Sequence, residues 1–304
     1  MGMRKVLAGS AWTLATAGLL LSFGSSSRAL GVSFDVAGID VPGSTLTVAS
    51  GINAGGDIVG WYADANNRQH GFLRTGENAW TSIDFPTEDA SNPVVATDAR
   101  GIGPGGDIVG TYRLAHEPTT VPAHGYLRTR QGVFSRIDHP DHINTIAQRI
   151  LPNGTILGCY HDTNTMDTMH GMITSRKGIG AFDMGMTMHN GATPDGKRIA
   201  GFWSDSTSHG YLVEGDSFTS FDVPGSASTA AWDMNARREI VGVYTGADKR
   251  VHGFLVDADW QFTTIDVSGA TITRAFGINS GGDVVGAYVA GGITHGYVAH
   301  RSDD

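Results

Sequence analysis

Side chains that bind soft metal ions are concentrated in one short stretch of the sequence. Six of the nine methionines lie between residues 166 and 188, and the only cysteine, Cys159, lies just before them. Thioether, thiolate and imidazole ligands together suit Cu(I). The sequence therefore predicts a copper site whose candidate ligands are Met166, Met169, Met186, Met188 and His189.

Packing is the alternative role for the same methionines. Met172 stands at an aromatic position of a recurring sequence and Met184 at a position that other copies fill with valine, so we predict both as core residues. Met184, Met186 and Met188 alternate along a predicted strand and would share one face. Such a face suits a hydrophobic patch as well as a metal ion, and the sequence leaves both open.

Acid–base catalysis is a further possibility. His142, Tyr160 and His161 are candidate acids or bases for a lyase or hydrolase that acts on a saccharide or a small anion. Arginine supplies paired donors and tryptophan a stacking face, which predicts a ligand pocket from Arg100, Arg149, Trp232 and Arg274. The same residues could instead be solvated loop residues. The sequence contains no nucleophile elbow, zinc-protease helix, phosphate loop or dinucleotide fingerprint, so no reaction is identified.

A sixfold repeat must position these residues. Each copy contains a His-Gly pair followed by an aromatic residue or Met, and these pairs begin at His70, His124, His170, His209, His252 and His295. A glycine followed two residues later by Tyr or Trp precedes each pair, as in Gly60 and Tyr62. An aspartate column completes the unit at Asp40, Asp84, Asp138, Asp183, Asp222 and Asp266.

The repeat predicts an all-β fold. Gly/Asn turns lead into short runs rich in β-branched residues, and about four such strands fit in each unit of about 43 residues. This pattern is typical of a six-bladed β-propeller. The chain ends before the last copy has its fourth strand, whereas residues 34–43 carry an extra copy of that strand. We therefore expect the N-terminal segment to complete the last blade, with residues 30–304 as a single domain.

The repeat signature resembles a known family. Gly-Ile-Asn, Gly-Asp-Ile-Val-Gly-x-Tyr, His-Gly-Phe-Leu and Phe-Thr-x-Ile-Asp-Val-Pro-Gly are similar to the HAF-type bacterial extracellular repeats, with Gly where the family name has Ala. The resemblance covers the chain beyond its first 29 residues. It implies an exported, propeller-like protein and no particular reaction.

The histidine and aspartate columns favour a structural role. A catalytic group is needed once per site, whereas a hydrogen-bonded pair that fixes a blade is needed in every blade. We expect functional residues where one copy departs from the others. Our alignment of the copies places Arg100, Gln148, Gly191, Trp232 and Phe276 opposite Ser50, and Arg274 with His189 opposite Val48.

The first 29 residues read as a secretory signal. Arg4 and Lys5 precede a mostly apolar stretch, and Ser27-Arg28-Ala29 forms a small-x-small cleavage sequence. Removal of Arg4, Lys5 and Arg28 from the 21 basic residues leaves 18 against 30 acidic residues, a net charge of −12. Such a chain should repel nucleic acid. One cysteine excludes an intramolecular disulfide.

The sequence as a whole predicts a monomeric, secreted or periplasmic propeller without a membrane span in its mature chain. Its main expected function is to bind a small molecule, a saccharide or a protein outside the cytoplasm. Copper binding and catalysis in the axial channel are the alternatives. We predict the long loop of the second copy, residues 116–122, as a contact loop.

Overall fold

The computed structural model describes residues 32–117, 124–163, 168–175 and 178–302, and their regular structure consists of 24 β-strands. The predicted signal peptide, Met166 and most of the predicted contact loop lie outside these ranges. No helix in these ranges is long and apolar enough to cross a membrane.

The strands form six groups of four antiparallel strands, which we call blades, and a single parallel pairing of Gln69 with Ala96 joins blades one and two into one eight-stranded sheet. The chain begins with β1 (Ser33–Gly38), which belongs to blade six. Blade one contains β2 (Leu46–Ile52), β3 (Ile58–Ala63), β4 (Gln69–Arg74) and β5 (Trp80–Ile83). Blade two contains β6 (Val94–Ile102), β7 (Ile108–Leu114), β8 (His124–Arg128) and β9 (Phe134–Ile137). Blade three contains β10 (Asn144–Ile150), β11 (Ile156–His161), β12 (Met169–Ser175) and β13 (Gly178–Phe182).

The remaining blades repeat this order. Blade four contains β14 (Met186–Ala192), β15 (Arg198–Ser204), β16 (Ser208–Glu214) and β17 (Ser217–Phe221). Blade five contains β18 (Ser228–Met234), β19 (Ile240–Thr245), β20 (Val251–Val256) and β21 (Phe262–Ile265). Blade six contains β22 (Ile272–Ile278), β23 (Val284–Ala290), β24 (Ile293–Ser302) and β1.

The N-terminal strand closes the propeller, as the sequence predicts. β1 pairs antiparallel with β24 from Ser33 opposite Ser302 to Gly38 opposite Tyr297. The first strands of successive blades contact one another in turn, and β22 contacts β2. Because the ring closes, every blade has a neighbouring blade on both sides.

A bulge in the first strand of each blade explains the glycine column. In blade one the register shifts between Ala49 and Gly51, opposite Gly60. A Cβ on Gly60 would lie 2.0 Å from the carbonyl oxygen of Val48. A Cβ on any of the other five glycines of the column would lie 1.8–2.1 Å from the equivalent carbonyl oxygen. Only glycine permits this approach.

The bulge also corrects our alignment of the fourth copy. His189 pairs with Gly201 just as Ala49 pairs with Gly60. His189 therefore corresponds to Ala49 rather than to Val48, and Asn190 rather than Gly191 corresponds to Ser50. The alignment of this copy was therefore wrong by one residue. The segment from the column aspartate to the buried threonine is also shorter here, from Asp183 to Thr187, than in the first copy, from Asp40 to Thr47.

A threonine column that sequence analysis did not single out joins the blades. The residue after each column aspartate donates its backbone N–H to a buried threonine hydroxyl on the next first strand, as Phe85 does to Thr97 at 3.1 Å. The other five acceptors are Thr47, Thr145, Thr187, Thr229 and Thr273. These hydrogen bonds attach the segment after the outer strand of each blade to the first strand of the next blade.

Apolar side chains fill the interfaces between blades. Five interfaces contain one buried cluster each. The interface of blades three and four differs, because its buried side chains fall into two separate clusters, one around Leu157 and one around Cys159. This interface is also where the sequence departs most from the repeat.

Candidate functional site

Each blade carries an aromatic–histidine–aspartate unit. In blade five Tyr244 stacks on His252 with ring centroids 5.0 Å apart, and His252 Nδ1 lies 2.8 Å from Asp266 Oδ2. The equivalent His–Asp contact is present in the other five blades at 2.8–3.1 Å. Both columns therefore join strands within each blade, and each aspartate follows the outer strand of its blade.

A second carboxylate flanks several of these histidines. His252 Nε2 lies 3.2 Å from Asp248, and His170 Nε2 lies 2.9 Å from Asp162. Burial lowers the pKa of both imidazoles, but the hydrogen bonds to their aspartates outweigh this effect and leave the pKa raised. The pKa of His124 is raised as well, chiefly by its hydrogen bond to Asp138.

Blade three gathers additional histidines around its unit. The ring of His142 stacks on Tyr160 at 4.5 Å, and the ring of His139 lies 4.3 Å from the same tyrosine. Asp162 bridges His142, at 2.7 Å, and His170. Burial and the nearby His142 lower the pKa of His139. The predicted catalytic residues His142 and Tyr160 thus lie together in one cluster.

His161, the third predicted catalytic residue, lies apart from this cluster. Successive side chains of a strand point to opposite faces, so His161 faces away from Tyr160. It is fully buried, and its Nε2 lies 3.8 Å from the Sγ atom of Cys159.

The predicted pocket residues lie on the first strands, which form the inner ring. Arg100 contacts Asp98 at 3.2 Å and the side-chain oxygen of Gln148 at 3.3 Å. Arg149 donates to the carbonyl oxygens of Ser50, Arg100 and Phe276 and pairs with Asp233. Both guanidinium groups are therefore already engaged by protein partners.

The other two predicted pocket residues are less engaged. Trp232 packs edge-on against Phe276 with centroids 5.1 Å apart, and its indole N–H has no hydrogen-bond partner in the described part of the chain. Arg274 is half-buried and forms no ion pair with residues that the structure describes. Burial lowers its pKa.

The predicted copper ligands are divided between two places. Met169 and Met188 pack with Cys159 in one buried cluster, against which the half-buried Met186 also packs. His189 is not a member of this cluster, and its Nδ1 contacts the hydroxyl of Tyr211. Met172 is buried in a different cluster, as predicted, but Met184 is 45% exposed, so its prediction as a core residue was wrong. Among the described residues, no three His, Cys, Asp or Glu side chains are arranged to hold a metal ion.

A groove of about 670 Å³ opens between blades three and four. One wall is apolar and aromatic, with Ile173, Phe182 and Phe218. The rings of Phe182 and Phe218 lie 6.4 Å apart at an angle of 32°. Charged residues also border the groove, namely Lys197, Arg198, Glu214 and Asp216.

Arg198 and Glu214 form an ion pair in this groove. Arg198 immediately precedes the apolar run of β15. Three other blades have an aspartate at this position, namely Asp57, Asp107 and Asp283. Glu214 is 48% exposed, whereas the guanidinium Nε of Arg198 is buried without a hydrogen-bond partner in the described residues. Sequence analysis missed both residues. The change from aspartate to arginine at one repeat position was the available signal.

His189 lines the inner end of the groove. It replaces the alanine of the other blades, and burial lowers its pKa to about 4. Its Nε2 is buried without a hydrogen-bond partner among the described residues, 2.7 Å from where a Cβ on Gly171 would lie. A neutral imidazole therefore occupies the space between the two separate apolar clusters of this interface.

Comparisons with known proteins identify the fold. No family model matches the sequence, and no curated protein matches it. Solved six-bladed propellers do match. The chain is similar to Aleuria aurantia lectin in complex with Fucα1-6GlcNAc, with 13% identity and a TM-score of 0.53 over 85% of this chain and 95% of the lectin. A further structure of this lectin, described as a six-bladed β-propeller with a novel mode of fucose recognition, gives 13% identity and a TM-score of 0.52 over 90% and 97% of the two chains.

A second kind of propeller matches equally well. The putative TolB from Agrobacterium tumefaciens shares 14% identity with a TM-score of 0.58 over 86% of this chain and 91% of its own. At these identities the likeness establishes the propeller fold.

Proposed function

We propose that the protein is an exported, saccharide-binding β-propeller whose binding site is the groove between blades three and four. The observation that carries this proposal is the coincidence of the groove with the departures from the repeat. His189, Arg198 and Glu214 each replace a residue that other blades use for packing or turn capping. A site confined to one interface of a repeat protein is expected where the repeat is broken.

The chemistry of the groove lining favours a neutral saccharide. A sugar ring presents a face of C–H groups and an edge of hydroxyl groups. Phe182 and Phe218 offer the apolar surface for the first, and an Arg–Glu pair offers both donors and acceptors for the second. Because Arg198 and Glu214 already neutralise each other, a fully charged ligand would have to break their ion pair. The fucose complex of a similar propeller supports the ligand class.

Action outside the cytoplasm is part of the same proposal. It is supported by the signal-like first 29 residues and by the similarity of the repeats to HAF-type extracellular proteins. The first of these features lies outside the described residues, and detection of the processed protein in the periplasm or medium tests it.

A glycan array with the mature protein, followed by calorimetric titration with the best binder, tests the function. The array should include fucosylated and other neutral oligosaccharides. The double variant, Arg198→Thr with Glu214→Thr, replaces both charged residues by threonine. Threonine is the natural residue at the equivalent positions of other blades, at Thr155 in blade three and Thr129 in blade two. We expect this double variant to weaken binding at least tenfold, because the hydroxyl groups of the sugar lose their charged partners.

The matched control is Arg74→Thr, which removes an arginine from the end of β4 in blade one and should leave the affinity unchanged. Absence of any glycan binding by the folded protein would overturn the proposed function. Full binding by the double variant would overturn the location of the site.

A further inference from the structure

Three sulfur-containing side chains of blades three and four, Cys159, Met169 and Met188, belong to one buried cluster. Cys159 lies on β11, Met169 on the neighbouring β12, and Met188 on β14 across the blade interface. Their exposed fractions are 0%, 3% and 4%. Each thioether and thiol in this cluster is shielded from solvent.

An imidazole adjoins these sulfur atoms. His161 follows Cys159 by two residues on the same face of β11 and is paired across the ladder with Met169. Its Nε2 lies 3.8 Å from Cys159 Sγ. In a tetrahedral metal site, bond lengths of about 2.3 Å to sulfur and about 2.0 Å to nitrogen separate two such ligand atoms by about 3.5 Å. Binding therefore requires only a small movement of the two side chains.

We propose that Cys159, His161, Met169 and Met188 form a binding site for one Cu(I) ion. One thiolate, one imidazole and two thioethers are the soft ligands that this ion prefers over harder divalent cations. The set differs from the sequence prediction: it keeps Met169 and Met188, adds Cys159 and His161, and leaves out Met166, Met186 and His189, the last of which lines the groove. The site is independent of saccharide binding.

Two further methionines supply a path from the surface. Met186 is half-buried and shares a face of β14 with Met188, and Met184 beside it is 45% exposed. An ion can pass from one thioether to the next along this row. When it reaches the buried site, the thiol of Cys159 loses its proton to solvent and the thiolate binds the metal, so each Cu(I) bound releases one proton.

The experiment measures Cu(I) binding to the mature protein under argon, with ascorbate as reductant and a chromophoric Cu(I) chelator as competitor. X-ray absorption of the loaded protein then identifies the ligand atoms. We expect one tightly bound ion with both sulfur and nitrogen ligands. Ag(I), which does not change its oxidation state, should compete for the same site.

The variants Cys159→Ser and Met169→Leu should each weaken Cu(I) binding at least tenfold. Met172→Leu is the matched control, because it removes a buried thioether from the same strand but from a different cluster. A variant that does not fold is replaced by Met188→Leu, which is also nearly isosteric. Equal affinities of Met169→Leu, Met172→Leu and wild type, or a metal spectrum without sulfur ligands, would overturn the proposal.

Discussion

The guanidinium group of Arg149 in blade three forms an ion pair with the carboxylate of Asp233 in blade five, with Nη2 and Oδ2 2.9 Å apart. Both side chains are less than a tenth exposed. They stand at a position of the first strand that is glycine in the other four blades, at Gly51, Gly101, Gly191 and Gly277. Asp233 also accepts the backbone N–H of Ile278 in blade six. One ion pair thus ties together blades that are not neighbours in the chain.

Loss of this ion pair should destabilise the protein strongly. Arg149→Met leaves Asp233 buried without its cation and three carbonyl oxygens without their donor, and we expect a loss of about 3–5 kcal/mol in the free energy of unfolding. Burial raises the pKa of Asp233, and Arg149 opposes that rise. Urea denaturation followed by tryptophan fluorescence measures the change.

Arg136→Met is the control for this prediction. Arg136 pairs with Glu88 at 2.6 Å, but the two side chains are 47% and 59% exposed. An exposed ion pair contributes less than about 1 kcal/mol. Similar losses in both variants would show that the Arg149 pair does not hold the blades together.

The glycine column should tolerate no side chain. A Cβ on Gly242 would lie 2.1 Å from the carbonyl oxygen of Ala230 and 2.6 Å from the ring of Phe254. We therefore expect Gly242→Ala to lower the free energy of unfolding by at least about 3 kcal/mol. Gly105→Ala is the control, because nothing lies within 4 Å of its Cβ, and it should change stability by less than about 0.5 kcal/mol. Unfolding curves that coincide for the two variants would contradict the explanation of the column.

Three of the column histidines, His124, His170 and His252, should make the protein less stable as the pH rises above 6.5, because their folded-state pKa values are raised. The folded-state pKa of His252 is raised above its usual value of 6.5, because the hydrogen bonds to Asp266 and Asp248 outweigh burial. Its stabilisation is therefore complete below pH 6.5 and is lost as the pH rises through the raised pKa. His252→Gln should flatten this decline, which unfolding measurements between pH 5.5 and 8.5 detect.

A second variant tests the same unit from its other side. Asp266→Asn removes the carboxylate that favours the protonated imidazole, so it should flatten the pH profile in the same direction. A wild-type profile that does not change over this range, or variants that steepen it, would contradict the role of the ion pairs.

His189 should have the opposite effect. Burial lowers its pKa to about 4, so the unfolded chain binds a proton more readily than the folded one below pH 6.5. The free energy of unfolding therefore falls by about 3 kcal/mol as the pH drops from 6.5 to 4. His189→Ala restores the residue of the other blades and should remove this part of the acid sensitivity. Thermal melts of wild type and variant at several pH values measure it, and parallel curves would count against the buried imidazole.

The repeat in the sequence was sufficient to determine the architecture. Six copies of a turn-and-strand pattern predict six blades because each copy can bury its apolar face only against the next. The extra strand at residues 34–43 predicts how the ring closes. The recurrence of His and Asp predicts a structural role, and the pairs within every blade confirm it. These conclusions depend on patterns that recur along the chain.

The tertiary structure decided which residues meet. The strand register places His189, rather than Met188, opposite Gly201, so His189 lines the groove while Met188 lies beside Cys159. Alternation along β11 separates Tyr160 from His161, although they are adjacent in sequence. Arg149 and Asp233 lie 84 positions apart, and Arg198 and Glu214 belong to different strands. Such contacts depend on strand register and on the closing of the ring, which bring together residues that no sequence spacing relates.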